Sequence, residues 1–136
     1  MRSGDNLAIS VPAGPGAAVR AIAAAHDYCD RTGCDDDARA HIAIIVEELV
    51  LNIVEHGGAA LGDPIHILLE QVGEGTQLTL TDGGTFFDPR EAEAPGLAPP
   101  ERGGGAGIAL ILAWAEIRSY VAEGGRNRMV LLIPAR

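Results

Sequence analysis

The 136-residue chain contains no lysine; its ten basic residues are all arginine, at Arg2, Arg20, Arg31, Arg39, Arg90, Arg102, Arg118, Arg126, Arg128 and Arg136. That absence excludes whole classes of chemistry. A P-loop needs a lysine on the terminal phosphates, a eukaryote-type protein kinase needs one on a strand, and Schiff-base catalysis needs one as nucleophile. Aromatic residues make up only 4% of the chain, so the core must be built from Ala, Val, Ile and Leu. Two cysteines, Cys29 and Cys34, are too few for a disulfide scaffold or a four-ligand zinc site. They are expected as reduced thiols in a cytoplasmic protein. No apolar signal core opens the sequence and no run of about 18 apolar residues occurs, so neither a secretion signal nor a membrane span is expected. Positive charge is also in deficit, with 10 basic against 19 acidic residues and a net charge of -9. Such a domain repels a phosphate backbone, so nucleic acid is not expected as a partner. A nucleotide held by local amides and a metal ion is not excluded.

What is present reads as one domain over residues 1–136, with a length sufficient for a single core. The alternating segment 6–12 is a predicted strand ending at Pro12. Residues 13–33 are Ala-rich and end at Gly33, a helix with a glycine stop. Asp35, Asp36 and Asp37 then supply a cap and favourable charge for a second helix over about 36–56. Two strands, about 65–72 and 76–82, form a hairpin around Gly73 to Gly75. Gly and Pro dominate from Gly83 to Gly107, where only a turn around 89–93 is expected; a loop this long in a small domain is usually functional or mobile. The run "IALILAWAEI" reads as a helix starting near Gly104 to Gly107, and a closing hairpin covers about 116–122 and 127–133. The order β-α-α-β-β-loop-α-β-β predicts an α+β (α/β) two-layer sandwich, a mixed, mostly antiparallel sheet with helices on one face.

The second helix places polar groups at four-residue intervals: Glu48, Asn52 and His56. At about 100° per residue, with Asn52 at zero, Glu48 falls near -40° and His56 near +40°, beside Ile45 near +20° and Leu49 near +60°. Two accounts fit. Asn52 is a buried amide bonded to a loop carbonyl, Glu48 a solvated side chain and His56 a partner of the helix dipole. Alternatively the stripe faces a cation or ligand, which offsets the cost of burying a carboxylate.

Two glycine segments follow. Asp82 ends an apolar strand just before Gly83 and Gly84. An ionised carboxylate there only accepts hydrogen bonds, which suits an exocyclic amine such as adenine's, and Gly84 lets backbone approach a flat ring. A plain glycine turn fits as well. Gly103, Gly104, Gly105 and Gly107 precede the third helix, where free amides bind phosphate, with Arg102 as the nearest cation. The alternative is a flexible linker. The dinucleotide fingerprint is a poor match, because no strand precedes this segment.

Taken in order, Glu48-x3-Asn52-x3-His56, Asp82-x-Gly84 with Phe87-Asp88-Pro89, and Gly104-Gly105-x-Gly107 resemble the Bergerat-fold (GHKL, histidine-kinase-like) ATPases, over about residues 6–134. The small size and the "DGGTFFDP" form are most similar to the anti-sigma-factor serine/threonine kinases, which switch partners between a sigma factor and an anti-sigma-factor antagonist. The resemblance implies that Glu48 is the general base or orienting carboxylate and that Asn52 holds Mg²⁺ on the phosphates of ATP. It implies that Asp82 accepts from the adenine amine, with Gly84 near the base. Gly104, Gly105 and Gly107 would form the lid hinge and phosphate cradle, beside Arg102. It gives His56 no chemical role. It places Val130 where many members carry a threonine near adenine, implying a lost contact to the base. The short segment of about 90–102 implies a small lid, and no histidine-bearing dimerisation helix is expected before the domain. Arg20 falls in a region members use for partner contact, although an exposed helix arginine is the simpler account.

The implied function is transfer of the ATP γ-phosphate to a Ser or Thr of an antagonist protein, in control of a sigma factor. The alternative is a nucleotide-binding regulatory module that sequesters a protein partner without kinase activity. A homodimer is compatible with either.

Overall fold

The computed structural model describes residues 6–56, 60–84, 111 and 113–135. Its elements are β1 (Asn6–Pro12), α1 (Ala17–Thr32), α2 (Asp36–His56), β2 (Pro64–Val72), β3 (Gly75–Asp82), β4 (Glu116–Glu123) and β5 (Arg126–Pro134). Over the described residues these elements follow the expected order, and strand bounds agree within a residue or so.

The helix boundaries have local causes. α1 begins at Ala17 and not at residue 13, because Gly14 and Gly16 adopt positive φ. Ala13 instead extends the strand path: its N–H donates to Asp63 O (2.8 Å), and its own carbonyl accepts from Gly62 N (2.8 Å). At the other end Gly33 takes the left-handed conformation (φ 76°) and donates to Cys29 O at 2.9 Å, the glycine stop anticipated from sequence. α2 starts where Asp35 Oδ1 accepts from Ala38 N–H at 2.8 Å, with Asp36 and Asp37 in its first turn. Ile111, Ala113 and Trp114 are helical, and Ala115 N donates to Ile111 O at 2.9 Å. The rest of the predicted third helix lies outside the described residues.

The strands form one sheet in the order β1-β2-β3-β5-β4. Every pairing is antiparallel, where the sequence expectation allowed a mixed sheet. β3 is central, flanked by β2 and β5. Alternation sends Thr76, Leu78, Leu80 and Asp82 of β3 to the buried face, and Asn127, Met129, Leu131 and Ile133 of β5 with them. Their apolar members share one core with Ala21, Ala25 and Tyr28 of α1 and with Ile42, Ile45, Val46, Leu49, Val50 and Ile53 of α2. Each fully buried aliphatic side chain contributes roughly 1.5–3 kcal/mol. The result is the two-layer α+β sandwich expected from sequence, with both helices against one face of the sheet. Among the described residues no helix is long and apolar enough to cross a membrane.

Candidate functional site

Asp82 closes β3 and is only 5% exposed, although it carries a carboxylate. Its surroundings explain how this is tolerated. Gly84 N–H donates to Oδ2 at 2.7 Å, an Asp bonding backbone two residues on. Asn127 lies directly across the ladder on β5. Its amide Nδ2 donates to Gly84 O at 2.7 Å and more weakly to Asp82 Oδ2 at 3.4 Å. Asn127 is itself 4% exposed. The Asp82-Gly83-Gly84 turn is therefore held from both sides, and the bonds to Asp82 among the described residues fall on one oxygen, Oδ2.

Gly83 packs closely against two side-chain tips. A Cβ there would sit 2.6 Å from Asp63 Oδ2 and 3.0 Å from Arg126 Nη1. Those two atoms form an ion pair at 3.2 Å, and Arg126 Nη2 also donates to Pro64 O at 2.8 Å. The clasp ties the start of β5 to the entry of β2 and packs against the turn.

The stripe on α2 proves to run along the edge of the buried arc. With Asn52 at zero, the buried residues from Ile45 to Val50 and Ile53 span about 20° to 160°, so Glu48 and Asn52 flank the core and do not enter its centre. Both are half-buried. Partial burial, and then the charges of Glu47 and Glu55, push the Glu48 carboxyl up from its ordinary value. A carboxylate so perturbed is a stronger base than a solvated one. His56 ends the helix; its side chain lies outside the described atoms. His41, about -20° on the same wheel, stacks on Trp114 with ring centroids 4.2 Å apart and 21° between planes.

The structure thus brings Asp82, Gly84 and Asn127 together at a strand end and sets Glu48 and Asn52 on one edge of α2. Arg102, Gly104, Gly105 and Gly107, with the predicted turn at 89–93, lie outside the described residues. Arg20 is exposed. The expectation for Val130 is corrected: it pairs with Thr79 and, by alternation, points away from the face that carries Asp82. The β5 residue beside Asp82 is Asn127, a polar side chain. Asn127 and His41 escaped the sequence reading. The signal for the first was the inward alternation of Asn127, Met129 and Leu131; for the second, its seven-residue spacing from Glu48.

The comparisons with known proteins agree with this layout. The model of the histidine kinase-like ATPase domain family matches residues 11–133. Among solved structures, the chain is similar to the RsbU and RsbW domains of Rv1364c from Mycobacterium tuberculosis, with a TM-score of 0.66 and 21% identity over 96% of its length. It spans 33% of that longer chain, and likeness at this identity speaks for the fold. No curated protein matches it. With the family match running across nearly all of the described elements, the chain belongs to the histidine kinase-like ATPase domain family.

Proposed function

We propose that the protein is an anti-sigma factor with serine/threonine kinase activity, binding ATP with Mg²⁺ and phosphorylating an anti-sigma-factor antagonist in a partner switch with a sigma factor. The observation that carries the reading is the buried Asp82 carboxylate, fixed through Oδ2 by the Gly84 N–H and Asn127. An acceptor held in place at a strand end suits the exocyclic amine of adenine, and Oδ1 is the oxygen the reading assigns to it.

The residues present fit the nucleotide and its metal. Among the described residues no group of three or more His, Cys, Asp or Glu side chains could hold a metal alone. Mg²⁺ commonly needs only one or two protein ligands when phosphates supply the rest, and Asn52 offers one amide oxygen. When bound, ATP·Mg²⁺ supplies the phosphoryl group and neutralises charge as it transfers. Glu48, one helical turn before Asn52, orients the attacking hydroxyl and takes its proton. Gly84 admits the flat base. Gly104, Gly105 and Gly107, with Arg102, are assigned to the phosphates. Fold likeness to a structure that includes an RsbW domain, and the motif order of this family's anti-sigma-factor kinases, support the choice of partner.

The test is calorimetric titration of ATP·Mg²⁺ into the wild type and Asn52→Ala. Mg²⁺-dependent binding that the variant loses supports the site; no binding to the wild type at millimolar nucleotide sinks it. A kinase assay on candidate antagonists then decides the activity. Transfer abolished in Glu48→Ala with nucleotide binding retained is expected. Binding without transfer in the wild type would leave a nucleotide-responsive sequestering module.

A further inference from the structure

The other end of the molecule holds a feature that the proposed function leaves unused. α1 ends in a left-handed glycine cap in which Gly33 N donates to Cys29 O at 2.9 Å and Cys34 N donates to the same carbonyl at 3.2 Å. The second bond is the six-to-one closure of a Schellman-type cap. In that motif a side chain one turn inside the helix end frequently packs against the one just past the glycine. Here those two side chains are Cys29 and Cys34. We propose that Cys29 and Cys34 form a reversible two-thiol oxidation site, in which a peroxide converts the pair to an intrachain disulfide at the corner between α1 and α2.

The two thiols differ in access, which sets their roles. Cys29 is fully buried, while Cys34 is half-buried. Cys34 lines an open cavity of about 360 Å³, together with Tyr28, Thr32, Gln71, Thr76 and Pro134. A small oxidant entering that cavity meets Cys34 first. Thr32 Oγ1 lies 3.4 Å from Cys34 Sγ and hydrogen-bonds Tyr28 O at 2.9 Å, so the hydroxyl orients the thiol. Burial pushes the Cys29 thiol up from its ordinary value, and the neighbouring Cys34 adds to the shift. Cys29 is thereby kept as the protonated, resolving partner, while Cys34 is the attacking one.

The chemistry balances in two steps. The Cys34 thiolate attacks one peroxide oxygen; an S–O bond forms, the O–O bond breaks and hydroxide leaves. Sulfur is oxidised by two electrons to a sulfenic acid and the peroxide is reduced. The Cys29 sulfur then attacks the Cys34 sulfur; an S–S bond forms, the S–O bond breaks, and the departing hydroxyl takes the Cys29 proton and leaves as water. The cap holds the two residues five positions apart on one turn, which shortens the search that a resolving thiol elsewhere would need. A thiol reductant reverses the bond by exchange. The site lies at the Thr76 end of β3, about 20 Å of strand from Asp82, so it stands apart from the candidate nucleotide site.

The test is peptide mapping by mass spectrometry of the folded wild-type protein after a small molar excess of hydrogen peroxide. A Cys29–Cys34 disulfide is expected, with the free thiol titre falling from two per chain to none and recovering with dithiothreitol. In Cys34→Ser, Cys29 keeps its thiol under the same treatment. In Cys29→Ser, oxidation stops at a Cys34 sulfenic acid that dimedone captures. Should Cys29→Ser fail to fold, the wild-type map alone decides. Disulfide-linked dimers, a sulfinic acid on Cys34, or an unchanged thiol titre in the wild type would each overturn the proposal.

Discussion

β3 buries a polar side chain at each end, and the two ends are finished differently. At Thr76 the hydroxyl meets Tyr28 Oη at 2.9 Å, a neutral pair inside the protein that ties sheet to helix. At Asp82 the group is a carboxylate, and the bonds from Gly84 and Asn127 converge on one of its two oxygens. Burying a neutral hydroxyl costs little once it is paired, whereas a buried carboxylate demands more than one partner. The first end is closed by the fold itself. At the second, the described residues place both bonds on Oδ2, and the proposed function assigns the other oxygen to adenine. On one strand, then, a neutral polar pair and a hydrogen-bonded carboxylate stand at opposite ends, and charge together with the geometry of the bonds tells them apart.

Mutation should separate the ends cleanly. Asp82→Asn keeps the shape but exchanges an acceptor for an amide. ATP affinity by calorimetry should fall about ten- to a hundredfold, because a hydrogen bond to a charged group is worth about 1.5–3 kcal/mol and each 1.4 kcal/mol is tenfold. Unchanged affinity would detach this carboxylate from the nucleotide and erase the contrast. Tyr28→Phe should do the reverse. It strands Thr76 Oγ1 in the interior, costing about 1–3 kcal/mol in a denaturant titration, and leaves ATP affinity as it was. A drop in affinity would mean the two ends are coupled.

Asp35→Ala removes the side-chain cap on α2 and should cost about 1 kcal/mol of stability, read as a lower thermal midpoint. The smallest effect concerns Glu48, where stability and activity should move in opposite directions. Burial and its acidic neighbours make the folded chain hold the Glu48 proton more tightly than the unfolded chain does. That contribution to stability is complete below the ordinary carboxylate range and is lost as pH rises through the raised folded value. At neutral pH the ionised form is a slight burden. Glu48→Gln should therefore leave stability equal or raise it by less than about 0.5 kcal/mol, with a flatter decline above the ordinary carboxylate range, while phosphoryl transfer disappears. A clear loss of stability at neutral pH would show that Glu48 serves the fold.

Much of this contrast was legible before any coordinates. Leu78, Leu80 and Asp82 alternate with threonines and glutamine in a way that only a strand buried on one face explains. Gly33 and Asp35 mark helix ends because their conformations and bonds are local. What stayed hidden depends on cross-strand register. Asn127 sits between two arginines, and nothing nearby reveals that it falls opposite Asp82, 45 positions earlier. The same register displaced Val130 from the role expected of it, since a shift of one residue along a strand reverses the face. Gly14 and Gly16 were absorbed into an Ala-rich helical pattern, although their positive φ holds the chain out of the helix for one more turn. For the stripe on α2, whether Glu48 and Asn52 lie in the core or at its margin depends on where α1 and the sheet press against the helix.

The stacking of Trp114 on His41 gives the molecule a built-in optical reporter. Trp114 is the chain's one tryptophan, so its emission arises from a single point, where α2 meets the approach to β4. An indole stacked on imidazole is sensitive to the charge and the spacing of its neighbour. His41 lies on the same helical edge as Glu48 and Asn52, so any ligand that shifts α2 against the sheet also changes the environment of that ring. Intensity and wavelength of the intrinsic fluorescence can then follow such a movement in real time, without a label.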